Sequence, residues 1–263
     1  MKLFYRQFGS GEPVIILHGV FGMSDNWVTF GRRLGEHFSV FIPDQRNHGH
    51  SPHSTSHNYY ALVDDILEFM GEHGLREATI VGHSMGGKVA VGVALEASRR
   101  VRKLILVDVS PKGYPLRKEH LDILRAMRSV DLSRLFSRHE VETELNKYLL
   151  SERIRYFALK NLHRDHAGGF SWRVNLDALE ENLEGISGAL PMKGVYEGPV
   201  LVIRGGDSDY IADTDKPLFS SYFPDYRMVT IPGASHWVHA DRPDALYAEL
   251  TSFLGPNPSP VST

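Results

Sequence analysis

Chemistry first shows at one serine held between two glycines, Gly82-His83-Ser84-Met85-Gly86. The apolar run Ala78-Thr79-Ile80-Val81 leads into it and Lys88-Val89-Ala90-Val91-Gly92-Val93-Ala94-Leu95 leads out. The first predicts a short buried strand, the second a helix of small and apolar residues. Gly-x-Ser-x-Gly at a strand-to-helix turn is the pattern of a nucleophile elbow, in which a strained turn lifts the hydroxyl clear of the sheet. Glycines at both ends leave room where side chains would meet the neighbouring backbone. The helix N-terminus then aims free amides at the same point.

A neutral serine hydroxyl is a poor nucleophile, so the rest of the chain must supply a base, an acid and an oxyanion site. His236, in Gly233-x-x-His236 after the last expected strand, is the candidate base, and His239 is a weaker one. The amides of Met85 and of Val20, or of Phe21 in its place, are the expected oxyanion donors. His18, beside them in His18-Gly19-Val20-Phe21-Gly22, is expected to order the loop. Three aspartates compete to orient the imidazole. Asp209 follows the seventh expected strand, the usual place in such a sheet; Asp108 ends the strand before it; Asp207 is the weakest.

These residues need a scaffold that brings them to one edge. Strands are expected at 3–8, 13–17, 39–43, 78–81, 104–107, 199–203 and 227–231, with helices from Ser24-Asp25 to Leu34, Tyr59 to His73 and Pro243 to Leu254. Strands alternating with helices predict an α/β fold with a mostly parallel sheet covered on both faces. The working loops of such a sheet lie at the carboxyl ends of its strands. Ser84, His18-Gly19, Asp108, Asp209 and His236 all fall there.

Between Pro111 and about Glu197 strand-like runs give way to helical periodicity over 116–130, 138–150, 152–162 and 176–186. This predicts a helical cap (111–197) inserted into a core formed by 1–110 and 198–255, with 256–263 a disordered tail. Such a cap would exclude water from the serine and shape its pocket, with Phe21, Phe157, Trp172 and Trp237 as candidate lining residues. Asp44 and Arg46 are expected to pair and lock a loop. His48, His50, His53 and His57 match no helical two-histidine zinc spacing, and no metal site is expected.

Composition narrows the classes. The 263 residues are 42% hydrophobic, carry a formal net charge of -3 and include no cysteine. That excludes disulfides, thiolate metal sites and a cysteine nucleophile, and fits a reducing compartment. The charge gives no electrostatic case for nucleic acid or a membrane surface. With no long apolar run and no signal-like N-terminal segment, a soluble cytoplasmic protein without a membrane span is expected. The oligomeric state is not legible.

The elbow, the His18-Gly19 loop, Asp44-x-Arg46-x-His48-Gly49-x-Ser51 and Gly233-x-x-His236 resemble the α/β-hydrolase superfamily over nearly the whole chain. More narrowly, the chain resembles the YbfF-type esterases and their mitochondrial abhydrolase relatives. That likeness rests on 44–51, on Val107-Asp108-Val109-Ser110-Pro111, and on the cap strings Ser137-Arg138-x-Glu140, Phe157-x-Leu159-Lys160-Asn161-Leu162 and Trp172-Arg173-Val174-Asn175-Leu176.

The resemblance implies an α/β-hydrolase fold with its cap between strands six and seven of that fold's count. It implies a carboxylesterase acting on small-molecule acyl esters of short to medium chain, or acyl thioesters, without metal or organic cofactor. It also carries the acid onto Asp108, with Asp209 as the alternative, because the group commonly has Gly-Gly-Asn-Ser where this chain has Gly205-Gly206-Asp207-Ser208. Fold alone does not fix the reaction. Perhydrolysis, carbon–carbon bond hydrolysis, acyl transfer and non-catalytic ligand binding are the rival readings.

Overall fold

The computed structural model describes residues 1–255; the expected tail at 256–263 lies outside the described residues. Seven strands form one sheet: β1 (Tyr5–Phe8), β2 (Pro13–Leu17), β3 (Ser39–Pro43), β4 (Ala78–His83), β5 (Val101–Val107), β8 (Val200–Gly205) and β9 (Tyr226–Ile231). Their spatial order is β1-β3-β2-β4-β5-β8-β9. Only β1 runs antiparallel, pairing Tyr5 with Pro43 at one edge. Every other pairing is parallel.

The apolar runs form strands because both faces of the sheet are covered. Ile15 and Leu17 of β2, Leu104 and Leu106 of β5, and Val200 and Val202 of β8 face one core. Val14 and Ile16, Ile105 and Val107, and Leu201 and Ile203 face the other. The alternation is the period-2 pleat, with neither side left to water. Each such side chain contributes roughly 1.5–3 kcal/mol relative to exposure. Helices α2 (Tyr59–Glu72) and α3 (Met85–Glu96) cover the first face; α1 (Val28–Leu34) and α10 (Pro243–Leu254) cover the second. The Asn58 side chain caps α2 by accepting from the Ala61 amide at 3.0 Å.

The helix expected from Ser24 through Leu34 is broken. Ser24–Asn26 is a single 3₁₀ turn, and α1 starts only at Val28. Ser24 caps nothing. Its amide donates to Asp44 at 2.6 Å, and the Asn26 side chain accepts from the Met23 amide at 2.9 Å. The helix α8 (Lys216–Tyr222) and the short α9 (Val238–Asp241) carry too little apolar periodicity to stand out in the sequence.

The insertion falls between β5 and β8. These are the fifth and sixth strands of this seven-stranded sheet, one place earlier than in the family's count. It holds α4 (Lys118–Ser129), α5 (Arg138–Asn146), α6 (Glu152–Leu159) and α7 (Leu176–Ser187). It is not wholly helical. Leu162–Arg164 (β6) and Phe170–Trp172 (β7) pair as an antiparallel hairpin around Gly168-Gly169. The Gly168 φ of 91° suits that turn.

Candidate active site

Ser84 stands between β4 and α3 with φ 53° and ψ -124°, a conformation L-residues rarely adopt. The two glycines have steric reasons. A Cβ on Gly82 would lie 2.3 Å from the Gly86 carbonyl oxygen, and one on Gly86 would lie 2.4 Å from that of Leu17. Glycine at 82 thus lets the end of β4 press against the start of α3, and glycine at 86 lets α3 press against the end of β2.

His236 follows β9 in a loop, and its Nδ1 lies 2.8 Å from Asp108 Oδ2. Asp108 follows β5 directly and is fully buried. Its Oδ1 accepts from the Gly205 amide at 2.9 Å, and Ser208 Oγ donates to its Oδ2. Burial pushes this carboxyl above its ordinary range, and the bonds from Ser208 and Gly205 pull it back. Burial, then the nearby His120 and Arg117, hold His236 well below the ordinary imidazole value. With Nδ1 donating to Asp108, a neutral ring keeps Nε2 as an acceptor.

Ser84 and His236 line the same pocket. No hydrogen bond joins their side chains; contacts between a nucleophile and its base commonly tighten only around the reacting group. Asp209, the competing acid, does not reach the imidazole. Its side chain is 76% exposed and pairs with Arg117 at 2.6 Å. Asp207 is also exposed, its amide donating to Ala234.

Of the two candidate oxyanion amides after β2, that of Phe21 is already engaged, donating to His48 Nε2 at 3.1 Å. Val20, which lines the pocket with Ser84, remains. His18 orders the loop as expected: Nδ1 donates to the Gly19 carbonyl at 2.9 Å, and Nε2 accepts from the Gln45 amide at 3.0 Å. The expected Asp44–Arg46 pair does not form. Arg46 makes a bidentate bridge to Asp65 on α2, at 2.6 and 2.8 Å, while Asp44 accepts from the amides of Ser24 and His50. The histidines of this loop bond to protein groups: His48 as above, His50 to Asp44, His53 to the Arg173 carbonyl, His57 to Asn47.

Two narrow lobes meet at Ser84 and Val20. The first is lined by Phe21, Phe157, His236 and Trp237, the second by Met85, Lys88, Tyr114 and Tyr210. Their cavity volumes, about 20 and 30 Å³, contrast with about 670 Å³ for an outer groove that continues from the first lobe past Phe157, Trp237 and His239. Trp172 lines neither lobe. It belongs to the β6–β7 hairpin, and its indole N–H donates to the Met127 carbonyl at 3.0 Å inside the insertion.

Sequence reasoning missed several neighbours of the imidazole. Tyr210 stacks on it at 3.5 Å and 9°. His83 Nε2 donates to the His236 carbonyl at 2.9 Å. Lys88, four residues after Ser84 on α3, was findable from helical spacing; Tyr210, Arg117 and His120 carry no comparable signal.

Fold and site together define a class, and the chain belongs to it: residues 12–243 match the family model described as alpha/beta hydrolase fold. The chain is 35% identical over 254 residues to the sn-1-specific diacylglycerol lipase ABHD11 of Danio rerio, covering 94% of this chain and 80% of that one. It is 31% identical over 245 residues to esterase YbfF of Escherichia coli, covering 93% and 94%. A solved structure described as a marine microorganism esterase superposes with a TM-score of 0.93 at 40% identity, covering 96% of this chain and 99% of the other.

Proposed function

We propose that the chain is a serine carboxylesterase hydrolysing short- to medium-chain acyl esters, acyl thioesters included, with Ser84, His236 and Asp108 as its triad. The observation that carries this is the 2.8 Å contact of His236 Nδ1 with buried Asp108, which leaves Nε2 to serve the pocket that Ser84 also lines. Relatives named esterase and lipase over nearly the whole chain support the ester class.

In the reaction, Ser84 Oγ attacks the ester carbonyl while His236 Nε2 takes its proton. Asp108 stabilises the imidazolium, and the Met85 and Val20 amides receive the oxyanion, each donor worth about 3 kcal/mol of barrier. His236 returns the proton to the departing alcohol, and water, deprotonated in turn by His236, hydrolyses the acyl-serine. Residues 111–197 act as the cap, closing the lobes against bulk water over the core of 1–110 and 198–255. The lack of cysteine suits work in the cytoplasm.

Hydrolysis of p-nitrophenyl esters of increasing chain length tests this. The wild type turns over the shorter members, and Ser84→Ala lowers kcat by at least about 10³-fold. An unchanged rate in Ser84→Ala, or no turnover of any member by the wild type, contradicts the proposal.

A further inference from the structure

The second lobe has walls that ester hydrolysis alone does not require. Lys88 lies one helical turn beyond Ser84 and is only 2% exposed. Its Nζ donates to the carbonyls of Gly188 and Ser187, both neutral acceptors. Burial lowers it to about 7, with no neighbouring charge to offset that. An ammonium buried without a counter-ion costs several kcal/mol.

Two further groups in the same walls have a buried nitrogen to spare, although Arg117 Nη1 already pairs with Asp209. Arg117 Nε and His120 Nδ1 are buried without a hydrogen-bond partner among the described residues, and both side chains line this lobe. Lys88 Nζ and the Arg117 guanidinium look onto one ring, 4.9 and 5.6 Å from the centre of Tyr114. No Asp or Glu lines the lobe. His236 lines the other lobe and not this one. A leaving alcohol that takes its proton from His236 would lie toward the first lobe and the outer groove. The second lobe is left to the acyl group.

We propose that the second lobe reads a carboxylate on the acyl half of the substrate, through Lys88, Arg117 and His120, so that the preferred ester is the monoester of a short dicarboxylic acid. This rests on the serine-esterase reading above and names the substrate class of that site. A bound carboxylate would supply the counter-ion that Lys88 lacks and accept from Arg117 Nε and, in the tautomer protonated at Nδ1, from His120. A mere strut from α3 to Gly188 needs no such surroundings.

Monomethyl glutarate and methyl pentanoate share one chain length and differ only in the terminal group. The wild type should favour the monoester by about tenfold or more in kcat/KM, the worth of one charge-assisted hydrogen bond. Lys88→Met should lower that ratio about tenfold, mainly through KM. Equal or better use of methyl pentanoate by the wild type overturns the proposal, as does a ratio unchanged in Lys88→Met. If the wild type cleaves neither methyl ester, calorimetry with glutarate decides this proposal, and the esterase reading fails only if no p-nitrophenyl ester is cleaved either. Binding by the wild type that weakens about tenfold in Arg117→Gln supports it. Absence of glutarate binding overturns it.

Discussion

At the scale of single residues, the imidazole of His236 is held from three directions. Asp108 fixes one ring nitrogen, Tyr210 covers one face, and His83 ties down the main-chain carbonyl. A ring so confined keeps its orientation while its charge changes, which general-base catalysis needs. Its resting charge follows from burial. Because the desolvated ring resists protonation, His236 stays neutral, as its proposed role as base requires, to pH values below the ordinary 6.5. Activity is present above the folded value of a catalytic base and lost below it. The acid limb of kcat/KM for a neutral ester should therefore lie below pH 6.5, and a pH–rate profile with its midpoint above 7 contradicts this. The charge on Arg117 pushes in the same direction, and exposed Asp209 opposes it from a distance.

At the scale of elements, the elbow is built around the contact between α3 and the end of β2. Gly86→Ala would drive a Cβ into the Leu17 and His18 carbonyls, at 2.4 and 2.5 Å, and push apart the two elements that carry the candidate oxyanion amides. Overpacking against backbone costs about 1–3 kcal/mol, and a displaced amide about a hundredfold in rate. The variant should lose both, read as a lower melting temperature and a lower kcat; a wild-type kcat contradicts the reading. The insertion is tied to the same region. Asn161 Nδ2 donates to the Phe21 carbonyl at 2.9 Å, and the Asn175 amide donates to that of Asn47 at 2.9 Å. Both asparagines fall in the insertion strings that carry the narrower resemblance.

The same elements show what was legible. Buried strands were, because a parallel sheet covered on both faces demands apolar runs. The choice between Asp108 and Asp209 was not, from spacing alone, since both follow strand ends. What separates them is three-dimensional. Asp108 leaves β5 at φ 50° directly beside the Gly205 amide, whereas Asp209 lies in a turn beyond Gly205 and faces solvent. Family resemblance supplied the preference that periodicity lacked. Trp172 lay between the expected helices and was offered as a lining residue by type alone; the β6–β7 hairpin around the glycine turn places it inside the insertion, and the pairing of Arg46 with Asp65 is a long-range contact that local spacing cannot reveal.

At the scale of the whole molecule, seven histidines have lowered values: His18, His48, His57 and His83, which are buried, and His120, His236 and His239, which are partly so, desolvation being the leading cause for each. His57 and His83 fall to about 3 and His120 to about 4. Their contribution to stability is complete above the unfolded value of 6.5. It shrinks as pH falls below it, because the unfolded chain then binds protons that the folded chain refuses. Asp108 and Glu119, both raised, oppose this but are two against seven. The melting temperature should therefore fall between pH 7.5 and pH 5, and an unchanged value contradicts the balance.

No helix among the described residues is long and apolar enough to cross a membrane. What the sheet does bring together, from segments 152 residues apart in the chain, is Ser84, Asp108 and His236 at one edge. The most direct test of that assembly is kcat/KM on a p-nitrophenyl ester for Asp108→Asn and Asp209→Asn side by side. The account predicts a loss of about 10⁴-fold for Asp108→Asn, as expected when the imidazole loses its orienting carboxylate. It predicts a change of no more than about threefold for Asp209→Asn, whose exposed carboxylate pairs with Arg117 and reaches the imidazole only at a distance. A near-wild-type Asp108→Asn, or an inactive Asp209→Asn, would contradict it.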